Sequence, residues 1–224
     1  MDLFTSYEER TFEFESPHGK HAQRCWGWVQ GGCNIVWSHI LPSIIALDGE
    51  RICGKKSVLE LGAGCGLVGL LAANLGHAAS VDITDGDEEE VGLIQKNCDE
   101  HGASGRCVAH FLTWGKPAAA EHLVARGGRR YDVILASQVV YVPAAIPLLV
   151  ETIAALLAAD GEALLYNDAV SVMASQADCR RLLDDALAEC HLVAESLDPA
   201  RQWRSDLVFP HADAYLLRIR HAGE

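Results

Sequence analysis

The segment Ser57 to Gly69, SVLELGAGCGLVG, constrains this chain most, because it joins an apolar run, a cluster of glycines and a second apolar run with no charge after Glu60. Val58 to Leu61 reads as a short buried strand. Gly62, Gly64, Gly66 and Gly69 then let the backbone turn tightly and approach a ligand closely. A helix expected over Leu67 to Leu75, stopped by Gly76, aims its free N–H groups at that turn. The place suits a small polar ligand.

The residues around the glycines discriminate among ligands better than the glycines do. A nucleotide triphosphatase loop needs Lys followed by Ser or Thr after its last glycine, and here Leu67 and Val68 follow. Gly64, Gly66 and Gly69 do satisfy the spacing of a dinucleotide turn, with Asp82 and Asp85 near the ~20-residue offset of a ribose-binding acid. Against a pyrophosphate stands Glu60, whose carboxylate at the strand end would repel an anion and suit a cation. A sulfonium or ammonium group fits better.

Glu-Leu-Gly-Ala-Gly-Cys-Gly at positions 60 to 66 resembles the first motif of the class I, seven-strand S-adenosylmethionine-dependent methyltransferases. The resemblance implies S-adenosylmethionine as cofactor and S-adenosylhomocysteine as product. By the same resemblance Gly62, Ala63, Gly64 and Gly66 pass under the methionine part, Glu60 engages its amino group, and Asp85 takes the ribose hydroxyls.

Half of the 224 residues are hydrophobic, enough for the core of one domain over 1–224 with an N-terminal extension, 1–35, packed on it. Phe12-Glu13-Phe14-Glu15 alternates in the extension and fits an added strand or hairpin. Acids outnumber Lys plus Arg by 31 to 18, and the formal charge of −13 disfavours direct binding to nucleic acid while welcoming a basic protein segment. The eight cysteines form no C-x-x-C pair and the histidines show no ligand spacing beside them, so no metal is expected. No stretch approaches the ~20 apolar residues of a membrane span, and no basic-then-apolar leader opens the chain. A reduced location follows, cytoplasmic with the nucleus as an alternative.

Strand and helix patterns alternate as an α/β sheet requires. Strands are expected at Ala79 to Thr84, Cys107 to Leu112, Tyr131 to Ala136 and Ala163 to Asn167. Helices are expected at Asp87 to His101, within Lys116 to Arg130, and at Ala144 to Ala158, the last broken by Gly161. A helix over Ala177 to Cys190 and strands at Leu192 to Leu197 and Ala214 to Arg220, joined by a helix-free polar loop, complete the pattern. The predicted fold is a seven-strand, mostly parallel sheet with helices on both faces and its last strand inserted antiparallel. A dinucleotide dehydrogenase would more often end its first domain in a sixth parallel strand.

Ligands of such sheets sit beyond the carboxyl ends of the strands. Trp114, after the third strand, offers a flat apolar surface for an adenine ring. The fourth strand ends in Ser137-Gln138-Val139-Val140-Tyr141, followed by Pro147-Leu148-Leu149. This pattern, with Trp114-Gly115 and Trp37 ahead of the first strand, resembles the branch of the family that methylates lysines in non-histone proteins. The resemblance makes Trp37 and Ser137 cofactor-side residues and places Gln138 and Tyr141 beside the methyl acceptor as the catalytic pair. Where that branch has Asp-x-x-Tyr this chain has Gln138. Lysine, with an ordinary pKa near ~10.4, must lose a proton before it attacks, and an amide orients an ammonium less strongly than a carboxylate. Gln138 therefore counts against lysine, which the resemblance makes the favoured protein acceptor, with a small molecule, or cofactor binding without turnover, as the alternatives.

Overall fold

The computed structural model describes residues 7–16, 18–30, 33–34, 38–103, 105–168 and 175–223. By its internal packing the chain falls into two compact units, Met1–Phe111 and Leu112–Glu224.

In the first unit, β1 (Tyr7–Ser16) and β2 (Gly19–Gln30) form an antiparallel hairpin, to which β3 (Cys33–Asn34) adds a short third strand. Phe14, Gln23 and Cys25 are buried while Glu13, Glu15, Ala22 and Arg24 are exposed, so the alternation expected around Phe12 to Glu15 does build a hairpin. Helix α1 (Ile40–Cys53), which the sequence pattern left unassigned, bends at Asp48, whose φ of −137° interrupts the helix. Then follow β4 (Ser57–Leu61), α2 (Leu67–Asn74), β5 (Ser80–Asp85), α3 (Glu88–His101) and β6 (Cys107–Phe111). Strands β4, β5 and β6 pair in parallel in the order β6-β5-β4. Asp87 caps α3 by accepting from the Glu89 N–H at 2.8 Å, and three glutamates fill the first turn, where the helix dipole favours them.

The second unit contains α4 (Lys116–Ala125), β7 (Tyr131–Ser137), α5 (Ile146–Leu156) behind a 3-10 turn at Pro143–Ala145, β8 (Leu157–Asn167), α6 (Gln176–Glu189), β9 (Leu192–Leu197), α7 (Pro199–Gln202) and β10 (Tyr215–His221). Strands β7 and β8 run parallel, and β10 inserts between β8 and β9 antiparallel to both. The first unit contributes strands in the order β6-β5-β4 and the second in the order β7-β8-β10-β9, seven strands in all and mostly parallel, the fold expected from the sequence.

Two expectations are corrected here. Gly161 does not end α5; the helix stops at Leu156 and Gly161 lies inside β8. A Cβ there would sit 3.0 Å from the carbonyl oxygens of both Tyr131 and Asp132, so the glycine serves close approach of β7, at a register irregularity, and not a helix end. The loop after β9 is neither helix-free nor wholly polar. Asp198 caps the single turn of α7, and Leu207 is buried.

Candidate active site

In the first unit the turn after β4 is built on left-handed backbone, with φ of 62° at Gly62, 55° at Gly64 and 79° at Gly66. The Ala63 N–H donates to the Thr84 carbonyl at 3.0 Å and the Gly66 N–H to the Ala63 carbonyl at 2.9 Å, so the turn is tied to β5 and closed on itself. The Gly64 N–H donates to Asp85 Oδ2 at 2.9 Å, and Asp85 Oδ1 accepts from the Asp87 N–H at 3.1 Å. The residue expected to read a ribose thus also fixes the turn to the start of α3. Asp82, the other acid at the dinucleotide offset, lies within β5, buried, with Oδ1 3.5 Å from His110 Nε2. Strand periodicity therefore separates the two acids.

Glu60 also has a part in the fold. Its side chain is buried, and Oε2 accepts from the Gly69 N–H at 2.7 Å, satisfying a free donor in the first turn of α2. Burial pushes its pKa well above the ordinary glutamate range, with the Gly69 hydrogen bond pulling the other way. One oxygen of the side chain expected to meet a ligand's amino group thus anchors the start of α2.

Asn97 on α3 escaped the sequence reading, yet it joins the hairpin to the glycine turn. Its side chain is fully buried. Oδ1 accepts from the Trp26 N–H at 2.7 Å, and the amide nitrogen donates to the carbonyls of Cys65 at 2.8 Å and Trp26 at 2.9 Å. No motif marks such a residue; only its place on the inward face of an amphipathic helix could have flagged it. At the end of α3, ligand-type atoms of Glu9, Glu100 and His101 lie within 4.8 Å of one another, a grouping that sequence spacing did not show. His101 Nε2 is 2.8 Å from Glu9 Oε1, and Glu100 Oε2 accepts from the Trp26 indole N–H at 2.7 Å. The cluster clasps β1 and β2 to the helix. Trp37 lies outside the described residues.

In the second unit the Gly115 N–H donates to Thr152 Oγ1 at 2.8 Å, which anchors the turn carrying half-buried Trp114 to α5. Ser137 ends β7 and is half-buried. Gln138 follows in the left-handed region, φ 61°, a strained conformation for a residue with a Cβ. Four hydrogen bonds from the end of β8 hold this turn. The Gln138 N–H donates to the Tyr166 carbonyl at 2.8 Å, and the Asp168 N–H to Gln138 Oε1 at 3.1 Å. Asn167 Oδ1 accepts from the Val140 N–H at 3.0 Å while its amide nitrogen donates to the Val140 carbonyl at 3.3 Å. Tyr141 projects from this clamped segment, 48% exposed. Asn167 and Asp168, both buried, went unread in the sequence because they stand about thirty residues from the turn they hold.

The predicted glycines stand on the turn after β4, and Gln138 and Tyr141 follow β7 in a second hydrogen-bonded turn, each after a parallel strand. Space above the first is open: an added Cβ at Gly64 would meet nothing within 4 Å, as a cradle for a ligand requires. Residues 28–176 match the family model described as lysine methyltransferase, more than half of the chain and a span that includes every predicted site residue. The chain is 37% identical over 139 residues to protein N-lysine methyltransferase METTL21A of Danio rerio, covering 60% of each protein. It is 34% identical over 186 residues to EEF1A lysine methyltransferase 3 of Mus musculus, covering 81% of this chain and 75% of that one. Among solved structures, a TehB-like SAM-dependent methyltransferase from Corynebacterium glutamicum superimposes with a TM-score of 0.56 at 16% identity, over 85% of this chain and 90% of that one, a likeness of fold. The chain spans 55–60% of the length of the first curated relatives it matches. On the extent of the family match, the chain belongs to the lysine methyltransferase family.

Proposed function

We propose that this chain is an S-adenosylmethionine-dependent methyltransferase that modifies a lysine side chain of a protein. The observation that carries the reading is the family match over residues 28–176, which takes in both clamped turns. When bound, S-adenosylmethionine supplies a sulfonium-activated methyl carbon, whose bond to sulfur breaks with its electron pair left on sulfur as a deprotonated lysine nitrogen forms the new bond.

The open space over Gly64 fits this cofactor, and Gly62, Ala63, Gly64 and Gly66 would support its methionine part. Asp85, half-exposed beside the turn, has a carboxylate suited to ribose hydroxyls. Trp37, Trp114 and Ser137 would complete the cofactor side. Glu60 would act indirectly, by holding the Gly69 N–H and with it the start of α2. Gln138 and Tyr141 would face the acceptor, Tyr141 from an exposed position open to a protein substrate. Little acid–base chemistry is compulsory, because positioning a neutral amine in line with an activated methyl group supplies much of the rate. The formal charge of −13 favours a basic acceptor segment, and a cytoplasmic protein is the expected setting.

Incubation with tritium-labelled S-adenosylmethionine and a protein extract tests the reading. Label on protein, abolished when the extract's lysines are first blocked by acetylation, is expected. Label confined to small metabolites, or cofactor binding with no label transferred, would overturn it.

A further inference from the structure

The segment from Gln138 to Tyr141 is held by main-chain and side-chain bonds from the end of β8, and those bonds leave two buried polar atoms without partners among the described residues: Gln138 Nε2 and Asp168 Oδ1. Asp168 is 5% exposed, so its carboxylate is largely removed from water. Of its two oxygens, Oδ2 accepts from the Tyr166 hydroxyl at a long 3.4 Å, and Oδ1 accepts from nothing described. A buried carboxylate oxygen without a donor is costly, and such a group in a native fold calls for a cause.

The Gln138 amide cannot relieve it by turning over. Its oxygen already accepts from the Asp168 main-chain N–H, so a flip would point two donors at each other. The amide nitrogen therefore faces away from that N–H and needs an acceptor of its own. Side by side, the two residues present one acceptor and one donor, both dehydrated and both held by backbone. Solvent would satisfy such a pair only at a roomy polar site, whereas a ligand that donates hydrogen bonds satisfies the acceptor, Asp168 Oδ1, directly.

We infer that Asp168 receives the ammonium group of the acceptor lysine and orients its nitrogen, with Gln138 serving as the positioning residue that fixes the Asp168 main chain. This rests on the lysine reading above. Position 138 carries no charge, so the anionic group beside the acceptor comes from the next strand. The carboxylate accepts N–H bonds from the substrate nitrogen and leaves its lone pair free once a proton has passed to water. As positive charge develops on that nitrogen, the same carboxylate stabilises it.

The test compares wild type with Asp168→Asn, using tritium-labelled S-adenosylmethionine, protein extract as acceptor, and calorimetric titration with S-adenosylhomocysteine. Product affinity should stay within about two-fold, while methyl transfer falls by roughly 10- to 100-fold, the range expected for losing a hydrogen bond to a charged group. A pH series separates this from a merely structural loss. A carboxylate beside an ammonium keeps the proton on, so removing it lets the bound lysine deprotonate at lower pH. The rising limb of the rate should move acidward in the variant and the deficit should narrow as pH falls; a uniform deficit at every pH overturns the proposal. Wild-type rate and profile in Asp168→Asn would overturn it while leaving the lysine reading intact. Wild-type enzyme that labels no lysine would sink both. Should Asp168→Asn not bind product, Asp168→Ser is read in the same way, and loss of product binding in both variants makes the residue structural and overturns the proposal.

Discussion

An added Cβ at Gly69 would lie 2.6 Å from Ile83 Cγ1 and 2.7 Å from Glu60 Oε2, whereas one at Gly64 would meet nothing within 4 Å. The first glycine serves the packing of α2 on β5; the second leaves room for a ligand. Gly69→Ala should therefore destabilise the fold by about 1–3 kcal/mol in urea titration, the usual cost of overpacking. Gly64→Val should eliminate calorimetric binding of S-adenosylhomocysteine while the protein stays folded, at a cost of roughly 1–2 kcal/mol for a side chain at positive φ. Equal product affinity in wild type and Gly64→Val would remove the ligand from this turn. Glu60 gives a pH dependence of definite sign. Its folded-state pKa is raised by burial above the unfolded value, so the folded protein holds a proton that the unfolded chain releases. That contribution is fully present below the unfolded pKa of about 4.3 and is lost as pH rises toward the folded value. Glu60→Gln keeps an oxygen for the Gly69 N–H but no charge, so its stability relative to wild type should improve as pH rises from the unfolded value toward the folded one in parallel urea titrations. A constant difference across that range would show that Glu60 stays ionised in the folded protein.

At the level of elements, strands were easier to read than their junctions. Runs such as Val58 to Leu61 and Tyr131 to Ala136 carry enough β-branched and apolar residues to place β4 and β7 to within one residue, and the acidic first turn after Asp87 marks the start of α3. Gly161 was misread because a glycine that ends a helix and one that lets two strands approach look alike until the neighbouring carbonyls are known. Helix α1 was missed because Pro42, Gly49 and the break at Asp48 interrupt its pattern. The hairpin shows how one side chain can dock a whole element. Asn97 satisfies both the N–H and the carbonyl of Trp26 and reaches the Cys65 carbonyl in the glycine turn. Asn97→Ala leaves those groups unpaired and should cost at least about 2 kcal/mol. Amide exchange at Trp26 should quicken more than at Val81 within β5. If both amides change by the same factor, the hairpin has no local attachment through Asn97.

Across the whole molecule, the proposed cofactor turn could be read because its residues are contiguous, Glu60 to Gly66, with Asp85 one strand further on. The proposed acceptor turn was only partly readable: Gln138 and Tyr141 sit in a local pattern, but the Asn167 side chain and Asp168 main chain that hold their turn come from the next strand, and no local spacing encodes that pairing. Net charge is legible from composition alone and acts at this scale. A formal charge of −13 creates a field that should draw a basic segment toward the enzyme and repel an acidic one. The zwitterionic, singly cationic cofactor experiences the same field far more weakly than a polybasic acceptor does. Raising salt from roughly 50 to roughly 500 mM shortens the screening length to a few ångströms. The KM for a basic protein acceptor should then rise several-fold, with kcat and the KM for S-adenosylmethionine nearly unchanged, in steady-state assays of methyl transfer. A salt-independent acceptor KM would mean that recognition is local to the residues around Tyr141, and the acidic surface would then have no part in choosing the substrate.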